Sequence, residues 1–370
     1  MNILITGANG FVGKNLSVRL KELGSHTILT YTKEQSLVEL EQLVVMSDFI
    51  FHLAGVNRPQ NPIEFTQGNA ELTDDLCALV AKSGRDIPIV ISSSTQAELD
   101  NAYGISKLSA EESLLKLNRE QQNTVYIYRL PNVFGKWSRA NYNSAVATFC
   151  HNIAHDLPIK INDPLAKLSL VYIDDVVASF VDLLSGWNDK AEIYQNVTPV
   201  YQTTVGELAD IIESFKDSIV SGITPRVGTG LVRALYSTYL SFLPLSKFSY
   251  PLVKHEDPRG SFVEMLKTPD CGQFSFFTAH PGITRGGHYH HTKTEKFLVI
   301  KGKAKYRFRQ IITDEYYELD ADGNNPVVVE TIPGWSHDIT NIGDDELVVM
   351  LWANEIFDRE KPDTIGFKVN

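Results

Sequence analysis

Cysteine is scarce. Cys77, Cys150 and Cys271 are the only three in 370 residues, far apart and odd in number, which excludes a disulfide framework and a cysteine metal knuckle. Long apolar runs are missing as well: none reaches the roughly 18 residues of a membrane helix. The chain opens on Asn2-Ile3-Leu4-Ile5-Thr6, without the basic region, apolar run and cleavage site of a signal peptide. Basic residues are outnumbered, 34 Lys and Arg against 45 Asp and Glu, for a formal net charge of -11 and a pI near 5.4. Nucleic acid and anionic membrane surfaces call for basic patches. These absences together predict a cytoplasmic protein with neither as partner. What remains is a chain long enough for two domains with separate cores.

The first strong pattern is at the start. Ile3-Leu4-Ile5 is a short apolar, β-branched run, followed by Thr6-Gly7-Ala8-Asn9-Gly10-Phe11-Val12-Gly13 and a helical pattern through Leu16 and Leu20. Strand, glycine turn and helix in that order let backbone N–H groups approach a pyrophosphate at the helix N-terminus. The Gly-x-x-Gly-x-x-Gly spacing with Phe11 resembles the signature of the extended short-chain dehydrogenase/reductases. That resemblance implies a dinucleotide held by Gly7, Asn9, Gly10, Phe11, Val12 and Gly13, with Leu53, Ala54 and Pro131 close by. The end of the second strand ordinarily reads the adenosine ribose, and here it offers Tyr31, Thr32 and Lys33 in place of an Asp or Glu. NADP(H) fits better than NAD, with Lys33 as partner of a 2′-phosphate, although Lys33 also reads as a solvated loop charge. The segment before the strand Asp48 to His52 is short for the family and predicts a pared-down third βα unit.

Pro88-Ile-Val-Ile-Ser92-Ser93-Ser94-Thr95 is a further apolar strand, ending in hydroxyls, and Tyr103-Gly-Ile-Ser-Lys107 follows. A Tyr and a Lys four apart share a helical face, where an ammonium can lower a phenol pKa and reach a ribose. The same spacing recurs at Tyr250 with Lys254 and at Tyr289 with Lys293. Only Tyr103 is preceded by a serine-rich strand end and followed by a helical run. The set resembles the Ser-Tyr-Lys triad of short-chain reductases and implies Ser94, with Ser93 as runner-up, Tyr103 and Lys107 as catalytic residues. Tyr128 to Gly135 resembles the family's segment beside the nicotinamide, and Val171 to Val176 its later strand-to-helix junction. Lys136, Arg139, Asn141 and Lys167 are candidates for nucleotide-sugar contacts, each with an ordinary surface role as the plain alternative. The similarity covers about residues 1 to 240.

From Gly228 to Leu245 the chain is apolar and aromatic with few basic residues, which predicts a connecting helix in preference to a membrane anchor. The domain boundary is placed at 246/247. Beyond it, short alternating segments at 261–266, 273–279, 295–300, 303–309, 327–332 and 346–352 predict a β-sandwich barrel of jelly-roll type. Inside lies a metal box. Gly282, five residues, His288-x-His290, four residues, Glu295, six residues and Gly302 place two imidazoles and a carboxylate at fixed intervals. On a strand His288 and His290 share a face, and Glu295 can return on the neighbouring strand. His337 of Pro333-Gly334-Trp-Ser-His337 can supply the fourth ligand. The set suits zinc, iron, nickel or manganese, and one zinc ion is expected.

That spacing resembles the first cupin motif in full; the second is met only in Pro333, Gly334, His337 and Asn341. The fold class expected is an α/β Rossmann domain of the extended short-chain reductase type over 1–246, followed by an all-β cupin over 247–370. Asp257 to Glu264 and Arg285-Gly286-Gly287-His288 resemble the dTDP-4-keto-6-deoxyhexose 3,5-epimerases, which implies an arginine on the nucleotide diphosphate and His288 as base. The partner tyrosine of that family has no counterpart after His337. His288 is thus asked to be a ligand by one pattern and a base by the other, and one lone pair cannot serve both.

The two halves share one substrate class, 4-keto-6-deoxy nucleotide sugars. A C4 ketone acidifies the C3 proton for a cupin base, and the same ketone accepts hydride in the first domain. The fusion resembles the CapF-type capsule enzymes. The resemblance implies C3 epimerisation of a UDP-4-keto-2-acetamido-2,6-dideoxyhexose and C4 reduction with NADPH, on the way to UDP-N-acetyl-L-fucosamine. Extended reductases and cupins both commonly pair, and the resemblance to these two families implies a homodimer. Two rival readings are a dehydratase or epimerase that retains NAD+ beside a structural metal-binding cupin, and a non-enzymatic NADP(H) and sugar sensor.

Overall fold

A computed structural model describes residues 1–59, 61, 63–186 and 192–370. It divides into two compact units, Met1–Ile212 with Ala234–Leu243, and Glu213–Arg233 with Pro244–Asn370.

The first unit begins β1 (Asn2–Thr6), α1 (Phe11–Leu23), β2 (Thr27–Tyr31), α2 (Leu37–Met46), β3 (Phe49–His52), α3 (Ile63–Phe65), a π-helix (Thr66–Glu71) and α4 (Leu72–Ser83). It continues β4 (Ile89–Ser94), α5 (Ala102–Gln121), β5 (Val125–Leu130), β6 (Asn132–Phe134), α6 (Ala145–Ala154), β7 (Lys167–Tyr172), α7 (Ile173–Gly186), β8 (Tyr194–Gln195) and β9 (Tyr201–Thr204), and α8 (Val205–Ser221) spans the division after Ile212. The main sheet is parallel, in the order β2-β1-β3-β4-β5-β8. Its strands read as continuous apolar runs because both faces are covered. Leu16, Leu20, Val176 and Phe180 of α1 and α7 pack on one face, and Leu40, Leu76, Val80 and Leu114 of α2, α4 and α5 on the other. Only α2 fills the span from β2 to β3, so β2 is the sheet edge, as the short third unit predicts. The strand order reverses at β1, between β2 and β3, and a doubly wound sheet binds ligands outside the strand ends at such a point.

The predicted connecting helix is α9 (Gly230–Leu240), which buries Leu235 and Tyr239. The second unit holds β10 (Lys254–Asp257), β11 (Gly260–Thr268), β12 (Gly272–Ala279), β13 (Thr284–Tyr289), β14 (Glu295–Lys301) and β15 (Lys303–Gln310). It ends with β16 (Tyr316–Asp322), β17 (Val328–Glu330), β18 (Trp335–Asn341), β19 (Leu347–Ala353) and β20 (Ile365–Gly366). Two sheets form, β10-β11-β12-β19-β14-β17 and β16-β15-β18-β13-β20. Alternate residues of both sheets, among them Phe277, Val299, Leu347, Tyr306, Phe308 and Ile339, fill one core, the arrangement of a β-sandwich. Segment 222–224 joins this unit through Lys267, whose N–H donates to Gly222 O and whose carbonyl accepts from Thr224 N. Among the described residues no helix is long and apolar enough to cross a membrane.

Two candidate catalytic sites

A cleft of about 740 Å³ in the first unit runs from the glycine turn to the serine-rich end of β4. Gly7 adopts φ +71°, and a Cβ there would stand 2.6 Å from Ala54 N. A Cβ on Gly13 would stand 2.3 Å from Gly7 O, so only glycine lets α1 start against the turn. Gly10 caps α1 without a side-chain hydrogen bond, which leaves first-turn N–H groups for an anion. Asn9, Gly10, Phe11, Val12, Gly13, Leu53 and Pro131 all line the cleft. Gly7 and Ala54 stand outside that lining and pack against each other. Lys33 is exposed after β2 and also lies outside it. Glu34, which the sequence reading passed over, is held below the usual carboxylate range by the Thr32 hydroxyl. Of the nucleotide-sugar candidates, Arg139 lines the cleft, its guanidinium 4.8 Å from the Tyr142 ring centroid. Lys136 pairs with Asp174, Asn141 bonds Thr148 and Asn152, and Lys167 is exposed on β7.

At the far end, Asn101 caps α5 through a 2.9 Å bond from Gly104 N. A Cβ at Gly104 would meet Gln96 O at 2.3 Å, so this glycine lets the helix carrying Tyr103 start against the β4 exit. Burial raises the Tyr103 phenol above its ordinary pKa, and a hydrogen bond from Ser94 partly offsets this. The expectation that Lys107 lowers it is not met. The Lys107 ammonium donates to Ser92 O at 3.1 Å and lies 6.0 Å from the Tyr103 ring centroid. Burial pushes Lys107 down to about 8, while Glu111 pulls it back up. Ser93 points elsewhere, its hydroxyl donating to the fully buried Glu111 carboxylate, which Arg129 grips through Nε at 3.1 Å and Nη2 at 2.7 Å.

Glu111 and Asn69 were missed in the sequence. Asn69 sits in the π-helix, bonds Val56 N and O at 2.8 and 2.9 Å, and reaches Ser106 at 2.9 Å. A Cβ on Gly55 would lie 2.8 Å from Asn69 Oδ1 and 3.1 Å from Lys107 Nζ, so glycine there makes room for both. A lone Glu inside a helical run and an Asn in an irregular turn carry no spacing signal.

In the second unit the ligand atoms of His288, His290, Glu295 and His337 all lie within 4.8 Å of one another. Register brings the first and last together, since His288 on β13 faces His337 on β18. Glu295 does not return on a neighbouring strand of the same sheet. It opens β14 in the facing sheet, so the cluster bridges the sandwich. The strand ends at Tyr289, and His290 lies in the loop beyond it. Asp363 fixes that loop: its carboxylate accepts from the N–H groups of His291, Thr292 and Lys293, and its carbonyl accepts from His290 Nδ1. Asp363 was missed because it acts from some seventy residues away.

The donor set fits a cation. With Nδ1–H committed to Asp363 O, a neutral His290 presents the Nε2 lone pair, 3.2 Å from Glu295 Oε2. Both nitrogens of the buried His337 lack a hydrogen-bond partner among the described residues, although its Nε2 stands 3.4 Å from the same oxygen. Lone pairs converging on a carboxylate are repulsive unless a positive ion or proton lies between them. Burial pushes Glu295 up, but the adjoining His290 and His337 rings and the Lys293 ammonium at 2.7 Å outweigh it and hold the group well below the usual carboxylate range. Burial and the neighbouring His337 push His288 down to about 4, so it is neutral near pH 7. Beside the cluster is a cavity of about 180 Å³ lined by Arg259, Arg285, Phe277, Phe297 and Tyr306.

The sequence profile of the NAD dependent epimerase/dehydratase family matches residues 3–195, and that of the polysaccharide biosynthesis C-terminal domain matches 255–365. The chain is 60% identical over 369 residues to the UDP-2-acetamido-2,6-beta-L-arabino-hexul-4-ose reductase of Pseudomonas aeruginosa, covering 100% of this chain and 99% of that one. The crystal structure of the capsular polysaccharide assembling protein CapF from Staphylococcus aureus superposes with a TM-score of 0.92 at 45% identity, over 100% of both chains. A UDP-glucuronic acid 4-epimerase from Bacillus cereus shares the fold of the first unit, with a TM-score of 0.56 at 17% identity over 65% of this chain and 98% of its own.

Proposed function

The chain belongs to the NAD dependent epimerase/dehydratase family, extended by a polysaccharide biosynthesis C-terminal domain, and on that premise we propose a bifunctional nucleotide-sugar enzyme of capsular polysaccharide precursor synthesis. Its substrate is a UDP-4-keto-2-acetamido-2,6-dideoxyhexose. Residues 247–370 epimerise C3, and residues 1–246 reduce the C4 ketone to give UDP-2-acetamido-2,6-dideoxy-β-L-talose, a step toward UDP-N-acetyl-L-fucosamine. Segment 213–233 serves the second unit structurally. The whole-length identity to a reductase named for such a 4-ulose supports the substrate class. The enzyme works in the cytoplasm as a homodimer.

The observation that carries the reduction is the Ser94, Tyr103 and Lys107 set at one end of a cleft whose other end is the glycine turn. A nicotinamide held there supplies hydride. Tyr103, kept protonated by burial, donates its proton to the ketone oxygen, and Ser94 polarises that oxygen. Lys107 is buried and fixed to Ser92 O beside them, placed to hold a ribose hydroxyl. Gly10, Phe11, Val12 and Gly13 seat the pyrophosphate.

In the second unit His290, Glu295 and His337 hold a divalent ion, most simply zinc. Such an ion acts as a Lewis acid toward a neighbouring oxygen. His288, the least buried of the four, takes the C3 proton in its neutral form. A second reading makes His288 the fourth ligand, which the common 4.8 Å spread of the ligand atoms favours.

The coenzyme is NADP(H), since Tyr31, Thr32 and Lys33 replace the carboxylate that would bind a 2′-hydroxyl. Steady-state oxidation of NADPH and NADH with the keto sugar tests this. The expected result is a kcat/KM at least about tenfold higher for NADPH, the factor carried by one ion pair to the 2′-phosphate. Equal values, or a preference for NADH, overturn the coenzyme assignment, and oxidation of neither overturns the reductase.

A further inference from the structure

We infer that Tyr306 is a substrate-contacting residue of the second unit, its hydroxyl donating a hydrogen bond to an oxygen of the sugar in the cavity beside the His288, His290, Glu295 and His337 cluster. The inference deepens the epimerase reading and rests on it.

Tyr306 lies on β15, where Ala304, Tyr306 and Phe308 alternate into the sandwich core. Its neighbour across the register is Ile339, two residues beyond His337 on β18. The side chain is 2% exposed and lines the cavity together with His288, Glu295 and His337. Its hydroxyl has no hydrogen-bond partner among the described residues. Two other buried tyrosines have one: Tyr31 donates to Gln35 O at 3.2 Å, and Tyr128 meets the Ser179 hydroxyl at 3.0 Å. Burying a hydroxyl without a partner is unfavourable, and a phenyl ring fills the same space without that cost. The rest of the aromatic lining is in fact phenylalanine, at Phe262, Phe277 and Phe297. Packing therefore does not account for the oxygen on Tyr306. A second donor, Arg285 Nε, is likewise buried and unpartnered in the same lining. Two unsatisfied donors on residues that line one small cavity call for an acceptor-rich guest, and a keto sugar is one.

Burial raises the phenol well above its ordinary pKa, so Tyr306 remains a neutral donor across the working range. When His288 removes the C3 proton, the electron pair left behind moves toward the C4 oxygen. A fixed donor out of water stabilises that charge at no reorganisation cost. The phenol proton stays on Tyr306 throughout, and no bond to it is made or broken.

Tyr306→Phe in the full-length, zinc-loaded chain tests this, with three readouts: C3 deuterium exchange of the UDP-4-keto sugar followed by NMR, bound zinc, and thermal midpoint. The expected result is exchange slowed by about a hundredfold, the effect of removing one oxyanion donor. Zinc content is unchanged and the midpoint is equal or higher, because an unsatisfied buried hydroxyl has been removed. Exchange within about twofold of the wild type overturns the inference, since one donor should count for far more. So does a lower midpoint with loss of zinc, which marks the hydroxyl as structural. A wild-type chain that shows no exchange overturns the epimerase reading and this inference together, whereas normal wild-type exchange left intact by Tyr306→Phe overturns the inference alone.

Discussion

Tyr103→Phe lowers NADPH oxidation with the keto sugar by about 10²- to 10⁴-fold, the usual contribution of a positioned general acid. Binding of the coenzyme and exchange at C3 persist. The argument rests on what the substitution leaves intact. The Tyr103 ring lies 5.6 Å from the Phe65 ring, and a phenyl group keeps that contact. Lys107 stays bonded to Ser92 O, so the ribose side of the cleft is unaltered. Only the proton destined for the ketone oxygen disappears, together with the Ser94 hydrogen bond. The loss should fall on kcat, because the interaction matters most in the transition state. NADPH affinity measured by fluorescence titration provides the control. A variant that reduces the ketone within about tenfold of the wild-type rate would show that another group supplies the proton.

Glu295→Ala removes zinc and stops C3 exchange, while reduction of a sugar that needs no epimerisation continues. Glu295 Oε2 is shared by His290 and His337, and Oε1 faces Lys293 at 2.7 Å. Truncation therefore strands a buried ammonium as well as deleting a ligand. Breaking such a pair costs about 3 kcal/mol or more, so the thermal midpoint falls too. Plasma emission measures the metal, NMR the exchange, and calorimetry the midpoint. Full zinc occupancy in this variant contradicts the assignment of Glu295 as a ligand. His288→Gln is the informative contrast, expected to keep zinc and lose exchange if His288 is the base. Loss of both makes it the fourth ligand.

The parts of the molecule legible in the sequence are those in which local pattern decides geometry. The Gly7, Gly10 and Gly13 spacing announces a turn, because only glycine fits at Gly7 and Gly13, against Ala54 N and Gly7 O. The metal cluster announces itself through the His288, His290, Glu295 spacing, and β12, β14 and β15 through alternation. β16 and β18 were not foreseen. β16 is mostly exposed and reads Tyr-Tyr-Glu-Leu-Asp-Ala-Asp, with little apolar alternation. β18 buries Ser336, His337 and Asp338 in succession, polar residues that burial patterns assign to loops. Partnerships over long sequence distances were hidden for a different reason. Asp363 under the His291 loop, Glu111 gripped by Arg129 and Tyr306 beside the histidine cluster acquire meaning only when strands far apart in sequence are brought together. The pKa of Tyr103 was misjudged because side-chain spacing shows that Lys107 can share its helical face, but not that Ser92 O claims the ammonium.

The central claim is that one C4 carbonyl is used twice, first to acidify C3 and then to accept hydride. It is tested most directly by a single reaction of the full-length enzyme with UDP-4-keto-2-acetamido-2,6-dideoxyhexose and unlabelled NADPH in deuterated water, with the product examined by proton NMR. The account predicts a product carrying deuterium at C3 and protium at C4, with one NADPH consumed for each sugar reduced. A reduced product that retains protium at C3 contradicts it.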